Sequence, residues 1–199
     1  MNVKYKIDHL TIEDYLEGES HSEFRHEYID GQVYAMAGAS SNHNRIVANL
    51  SRELGNHLRH SSCEPFASDM KVQIESHFYY PDVLVVCDHQ SNDYGVTDSP
   101  LIIVEVLSKA TRKIDHTLKR KAYQRLSSLQ EYVLIEQDFV DVEICRRANH
   151  WQSEHYFLGD SVYFQSLDLT LPVTTLYERV DNEDVLKYTP EPTNVASES

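Results

Sequence analysis

The chain has 199 residues, 41% hydrophobic and 25% charged, which fits one domain with a sizeable core. No apolar run approaches the length of a membrane span, and the charged start MNVKYKIDHLTIEDY has no signal-peptide core. A formal net charge of −14 argues against an indiscriminate nucleic-acid binder, because phosphate contacts need Lys and Arg.

The basic residues are unevenly spread. Seven of the 18 fall between Glu105 and Arg125: Lys109, Arg112, Lys113, Lys119, Arg120, Lys121 and Arg125, opposed there only by Glu105 and Asp115. Composition alone reads this equally as a solvated helix face. Cys63, Cys87 and Cys145 are widely spaced, odd in number and without a C-x-x-C pair, so neither a disulfide framework nor a zinc site is expected. A reducing cytoplasm is the simplest location.

In chain order, TIEDYLEG (11–18) predicts a short helix with Thr11 as N-cap and Gly18 as its stop. EYIDGQVYAMAG predicts two short strands about Asp30-Gly31, a hairpin turn signal. From Ser40 to His60, Ile46, Leu50, Leu54 and Leu58 recur at helical spacing. Three extended segments follow: EPFASDMKVQIE, PDVLVVC and SPLIIVEVLS, the last apolar enough for a strand buried on both faces. A helix is predicted from about 114 to 126, then the strand EYVLIEQ, then a hairpin from DVEICRR and NHWQSEHYFL. Short segments at 161–178 close the domain. Residues 181–199 are polar and read as a disordered tail, leaving 1–180 as a single domain. The order of elements predicts an α/β or α+β domain with a central mixed sheet.

Chemistry is suggested where acids interrupt apolar strands. Glu105 lies inside LIIVEVL, sharing a face with Ile103 and Leu107 by strand alternation, and a lone buried carboxylate needs a partner. Asp82 opens the preceding apolar strand. If the two strands are neighbours, their carboxylates converge, and such a pair suits Mg²⁺. Either acid alone serves equally well as the structural partner of an Arg or Lys. On the following helix, Ile114, Leu118, Ala122 and Leu126 define the apolar side, with Asp115 inside that stripe and Lys119 at its edge. They form an i, i+4 pair, acid before base, which points Lys119 toward the sheet or simply pairs the two. Lys113 and Arg120 point away. His43 starts a helix and serves as a cap or faces the cleft. Tyr123, one turn beyond Lys119, packs inside or meets a nucleic-acid backbone. Trp151 and Tyr156 read as core or hairpin residues.

The runs YYPDVLVVC and LIIVEVLSKATRKIDHTLKRKAYQRLSSLQEYVLIEQ, with EYIDGQVYAMAGAS and the helix start at His43, resemble the Uma2 family. That family belongs to the PD-(D/E)XK nuclease superfamily, and the resemblance covers roughly residues 10–178. It implies a restriction-endonuclease-like core and Mg²⁺- or Mn²⁺-dependent hydrolysis of DNA by a metal-activated water. It implies that Asp82 and Glu105 are the metal-binding acids, that Glu27 is the family's early acid, and that Lys119 is its helix lysine. Ser108, Lys109, Arg112 and Lys113 after the Glu105 strand, with His43 and Tyr123, become candidate substrate contacts. A homodimer is implied because many nucleases of the superfamily pair to cut both strands. The superfamily lysine ordinarily stands two residues after the second acid. Leu107 holds that place here, so the alternative is a non-catalytic nuclease-fold module that binds nucleic acid or a protein. Hydrolysis of RNA or another phosphodiester is also compatible with the same acids.

Overall fold

The structure, a computed structural model, describes residues 10–36, 38–90, 92 and 94–188. Helix α1 (Ile12–Ser20) is capped by Thr11, whose side chain accepts from the Asp14 amide at 3.1 Å, and it runs two residues past Gly18. Strands β1 (His26–Ile29) and β2 (Gln32–Ala35) pair about Asp30 (φ 50°) and Gly31 (φ 77°). A tight two-residue hairpin turn needs positive φ at both positions, which Asp-Gly supplies at low cost. Helix α2 (Ser41–His57) starts at Ser40, whose hydroxyl accepts from the His43 amide at 3.1 Å.

The segment EPFASDMKVQIE, expected as one strand, is two: β3 (Cys63–Ala67) and β4 (Lys71–Ile74), in different sheets. The chain turns at Ser68, held in the left-handed region at φ 63°. Next come β5 (His77–Tyr79), β6 (Val83–Cys87), β7 (Val96–Thr97) and β8 (Pro100–Leu107). Helix α3 (Arg112–Ile114) passes through a π-helical turn, Asp115–Lys119, into α4 (Arg120–Tyr123). Strands β9 (Glu131–Glu136), β10 (Val142–Arg146), β11 (Ser153–Tyr156), β12 (Ser161–Phe164) and β13 (Leu169–Pro172) follow, then α5 (Val173–Leu176) and α6 (Glu183–Lys187).

The result is a mixed α+β domain. Its central six-stranded sheet has the order β11-β10-β9-β8-β6-β3, with β8 and β9 parallel and the other pairs antiparallel. A five-stranded sheet, β2-β1-β5-β4-β7, and the small pair β12-β13 complete it. Alternation on β8 divides the core. Ile102, Val104 and Val106 join the cluster of α2, with Ile46, Leu50 and Leu54 fully buried. Ile103 and Leu107 join the opposite cluster, with Ala122, Tyr123 and Leu126. Each α2 leucine removed from water contributes roughly 2 kcal/mol, so Leu50→Ala costs about 2–5 kcal/mol once its cavity is counted.

Three further expectations need correction. The first concerns the helix after β8: Ile114 and Leu118 are 48% and 46% exposed, while Asp115 and Lys119 are buried. The π-turn, closed by the Arg120 amide donating to the Asp115 carbonyl, adds a residue to the helical repeat. The buried side is Asp115, Lys119, Ala122, Tyr123 and Leu126, which share one helical face because the two charged residues find partners inside. The second concerns sulfur: Cys63 and Cys87 stand directly opposite each other on antiparallel β3 and β6 and form a disulfide, while Cys145 is free and buried. Pairing of distant strands, not spacing in the chain, brings them together. The third concerns the segment from 181. Asp181 exchanges hydrogen bonds with Asn42, Asn182 caps α6, and the Asp184 carboxylate accepts from the Val140 amide at 2.8 Å. The start of the expected tail is therefore docked on the domain, and 189–199 lie outside the described residues. Among the described residues, no helix is long and apolar enough to cross a membrane.

Candidate active site

The pairing of β6 with β8 decides where the two strand acids meet. The strands run antiparallel with Val83 opposite Val104, so Asp82, just before β6, lies beside the stretch of β8 that carries Glu105. The Asp82 carboxylate accepts from the Val106 amide at 2.7 Å through one oxygen, and the other meets His43 Nε2 at 3.0 Å. Glu105 sits on the face of Ile103 and Leu107, as alternation requires, with 4% of its surface exposed. Its Oε1 accepts from the Tyr123 hydroxyl at 2.8 Å and from Lys119 Nζ at 3.1 Å.

Lys119 is the hub of the arrangement. Its ammonium lies 2.8 Å from Glu27 on β1, 3.1 Å from Glu105 on β8 and 3.6 Å from Asp115 within its own π-turn. One helix, two sheets and three carboxylates thus converge on a lysine that is 7% exposed. Burial works against its charge, but Glu105, Glu27 and Asp115 outweigh that and hold its pKa above the ordinary value. Burial pushes Glu105 well above the usual carboxylate range, with Lys119 opposing and Asp115, Asp82 and Glu27 adding. Asp115 is raised for the same first reason, countered by Lys119 and by a hydrogen bond from Thr111. For His43, burial opposes the charge, yet its contacts with Asp82 and the Val106 backbone raise its pKa overall.

Four carboxylates therefore share one lysine and one histidine. A single divalent cation would remedy that deficit of positive charge. The donors present are hard carboxylate oxygens, the kind that Mg²⁺ and Mn²⁺ take. Among the described residues, no three His, Cys, Asp or Glu side chains are grouped as a ready cage. Mg²⁺ is commonly held by one or two carboxylates with waters and substrate phosphate, so the pair Asp82 and Glu105 fits. A buried oxygen, Asp115 Oδ1, also lacks a hydrogen-bond partner.

Comparison with known proteins identifies the family and the fold. Residues 12–174 match the model of the Uma2 family, described as "Putative restriction endonuclease". The chain belongs to the Uma2 family. Two proteins of Synechocystis sp., both described as uncharacterized, are similar to it. One, slr1290, is 35% identical over 173 residues, covering 84% of this chain and 91% of the relative. The other, sll1609, is 36% identical over 148 residues, covering 72% and 80%. A crystal structure described as a putative nuclease belonging to DUF820, from Anabaena variabilis, superposes with a TM-score of 0.66 at 19% identity. It covers 84% of this chain and 97% of that one, which establishes a shared fold.

Within this Uma2 member, the residues named from sequence divide into two groups. Glu105, Lys119 and Glu27 are in direct contact, and Asp82 with His43 forms a second pair next to them, where β6 pairs with β8. Tyr123 is not at the surface: it is fully buried, with ring neighbours Tyr79 and Tyr132, and its hydroxyl fixes Glu105. Arg112 is committed to Glu136 and Asp138, and Arg120 to Glu143, which removes much of the expected positive patch. Ser108 and Thr111 hydrogen-bond to each other across the loop after β8. Lys109 and Lys113 remain exposed. Sequence reasoning gave Asp115 only a pairing role, and its signal was its place at i−4 from Lys119 inside the buried face.

Proposed function

We propose that this chain is a metal-dependent endonuclease that hydrolyses DNA phosphodiester bonds. In this reading Asp82 and Glu105 hold Mg²⁺ or Mn²⁺, which when bound supplies a water of lowered pKa and offsets charge on the phosphate. Lys119 aims the attacking water and offsets charge developing on the phosphoryl oxygens, the role of a lysine two residues after the second acid elsewhere in the superfamily. Glu27 orients Lys119 and accepts from water beside it. Asp82 is itself oriented by the Val106 amide and His43. The observation that carries this reading is a buried lysine, delivered by a separate helix, against the strand carboxylate Glu105, with Asp82 held on the neighbouring strand by the Val106 amide.

The experiment is calorimetry of Mn²⁺ with wild type, Asp82→Ala and Glu105→Ala, beside single-turnover cleavage of DNA and RNA duplexes. Binding lost in both variants, and Mn²⁺-dependent DNA cleavage, are the expected results. Unchanged affinity in both variants overturns the assignment, and cleavage of RNA alone reassigns the sugar. A second reading, a non-catalytic nuclease-fold module, is favoured by Leu107 in the lysine's usual place and by the net charge of −14. Metal binding without cleavage of any nucleic acid would select it. A homodimer that cuts both strands belongs to the first reading, and sedimentation with and without duplex tests the pairing; the Cys63–Cys87 disulfide removes the ground for a reducing location.

A further inference from the structure

We propose that Asp115 is a positioning residue for Lys119, the carboxylate that receives its ammonium when Glu105 is engaged by a divalent cation. The proposal rests on the metal-dependent reading above. It starts from an incomplete contact. A lysine ammonium has three N–H groups. In Lys119, Glu27 and Glu105 lie at 2.8 and 3.1 Å, within hydrogen-bond reach, whereas Asp115 Oδ1 is at 3.6 Å, beyond it. Asp115 is 2% exposed, and this oxygen has no hydrogen-bond partner. Burying an acceptor in that state is unfavourable, so the fold retains it against a cost.

The position of the empty oxygen gives the reason. A cation held by Glu105 and the Lys119 ammonium would compete for one carboxylate and repel each other in a poorly solvated site. Lys119 must then loosen its hold on Glu105 without losing its charge or its direction. Asp115 offers an anionic acceptor less than 1 Å beyond normal hydrogen-bond length, on the same helical turn. That turn is π-helical, a form concentrated at functional sites. Its backbone is anchored on the sheet side, where the Tyr132 hydroxyl donates to the Asp115 carbonyl at 3.1 Å. The aspartate is therefore fixed, and the long lysine side chain is the part that can move.

A double-mutant cycle on Mn²⁺ affinity tests this, because a residue acting through Lys119 has an effect only when Lys119 is present. Asp115→Asn should weaken Mn²⁺ binding about 10–100-fold, the range for a residue that orients a metal site from outside. In a Lys119→Met background the same substitution should change affinity by less than about twofold, within the error of additivity. Equal weakening in both backgrounds would make Asp115 a direct ligand and overturn the positioning role. No weakening in the wild-type background overturns it as well. Absence of Mn²⁺ binding by wild type removes the metal-dependent reading and this proposal together. Circular dichroism confirms folding, with Asp115→Ser and Lys119→Gln as substitutes if either first variant fails to fold.

Discussion

Replacing Lys119 with methionine should destabilise the domain in a manner that depends on pH. Three carboxylate oxygens lie 2.8, 3.1 and 3.6 Å from Nζ. At an effective dielectric constant of about 20, each attraction is worth about 5 kcal/mol before desolvation of the ammonium is subtracted. Methionine keeps the length of the side chain and removes the charge, so the carboxylates are left to repel one another. The cheapest response is uptake of one proton. For a carboxyl of ordinary value 4.5 this costs about 1.4 kcal/mol per pH unit, or roughly 3 kcal/mol at pH 7. That figure caps the loss from charge and shrinks to under about 1 kcal/mol near pH 5. The sign follows from linkage. Burial already raises Glu105 in the folded wild type, and removing Lys119, the charge that lowers it, raises it further, so between the two folded values the variant holds one proton more and loses stability relative to wild type as pH rises. Lys119 itself adds no slope, because its folded pKa is raised and its contribution is fully present below the unfolded value of 10.5. Urea unfolding of wild type and Lys119→Met at pH 5, 6, 7 and 8 should show the difference growing by up to about 1.4 kcal/mol per unit. A difference that does not change with pH would mean that Lys119 is held by packing alone, and the electrostatic account would be refuted.

Other outcomes are expected from the same contacts. Lys119→Ala should slow single-turnover DNA cleavage by roughly 10²-fold or more while changing affinity little; equal rates would remove Lys119 from the mechanism. Lys113→Ala, on the exposed side, should weaken DNA binding and reduce its salt dependence, measured at two salt concentrations. Tyr123→Phe deletes the hydroxyl that donates to Glu105 and should cost about 1–2 kcal/mol in urea unfolding, hydrogen bonds to charged groups being the stronger kind. Ending the chain at Val180 removes the Asp181, Asn182 and Asp184 contacts and should lower Tm by several degrees; an unchanged Tm would show that α6 contributes nothing.

Much of the site was legible because burying charge is costly. Glu105 announces itself within an unbroken apolar run, and strand alternation alone places it with Ile103 and Leu107. Lys119 was found through its i, i+4 relation to Asp115. What local pattern could not supply was pairing at a distance. Glu27 stands on the other sheet, and only its resemblance to a family acid singled it out. The Tyr123–Glu105 bond exists because α4 lies over β8, and the Cys63–Cys87 disulfide because β3 and β6 pair in one register. The exposed Ile114 and Leu118 mark a different limit: at about 100° per residue Asp115, Lys119, Ala122, Tyr123 and Leu126 already share one face, but hydrophobicity alone centres the buried side on Ile114 and Leu118 instead.

The relocated lysine has a physical logic of its own. A lysine at position 107 would leave the same strand and the same face as Glu105, but that place belongs to a leucine that is 1% exposed and part of the buried core cluster on that face. The strand end is therefore closed to a charged side chain. Lys119 reaches the acid instead from a helix packed on that face, and the difference changes what can move. A strand lysine is fixed by the ladder on both sides, with β6 and β9 flanking β8. A lysine on a π-turn is anchored only through its own helix, with three acceptors at graded distances. The arrangement combines a rigid pair of strand carboxylates with one adjustable cation. Under the proposed function, an acid that holds a divalent ion and still keeps a lysine at hand would use that combination, with the unfilled oxygen of Asp115 as the place where the adjustment would end.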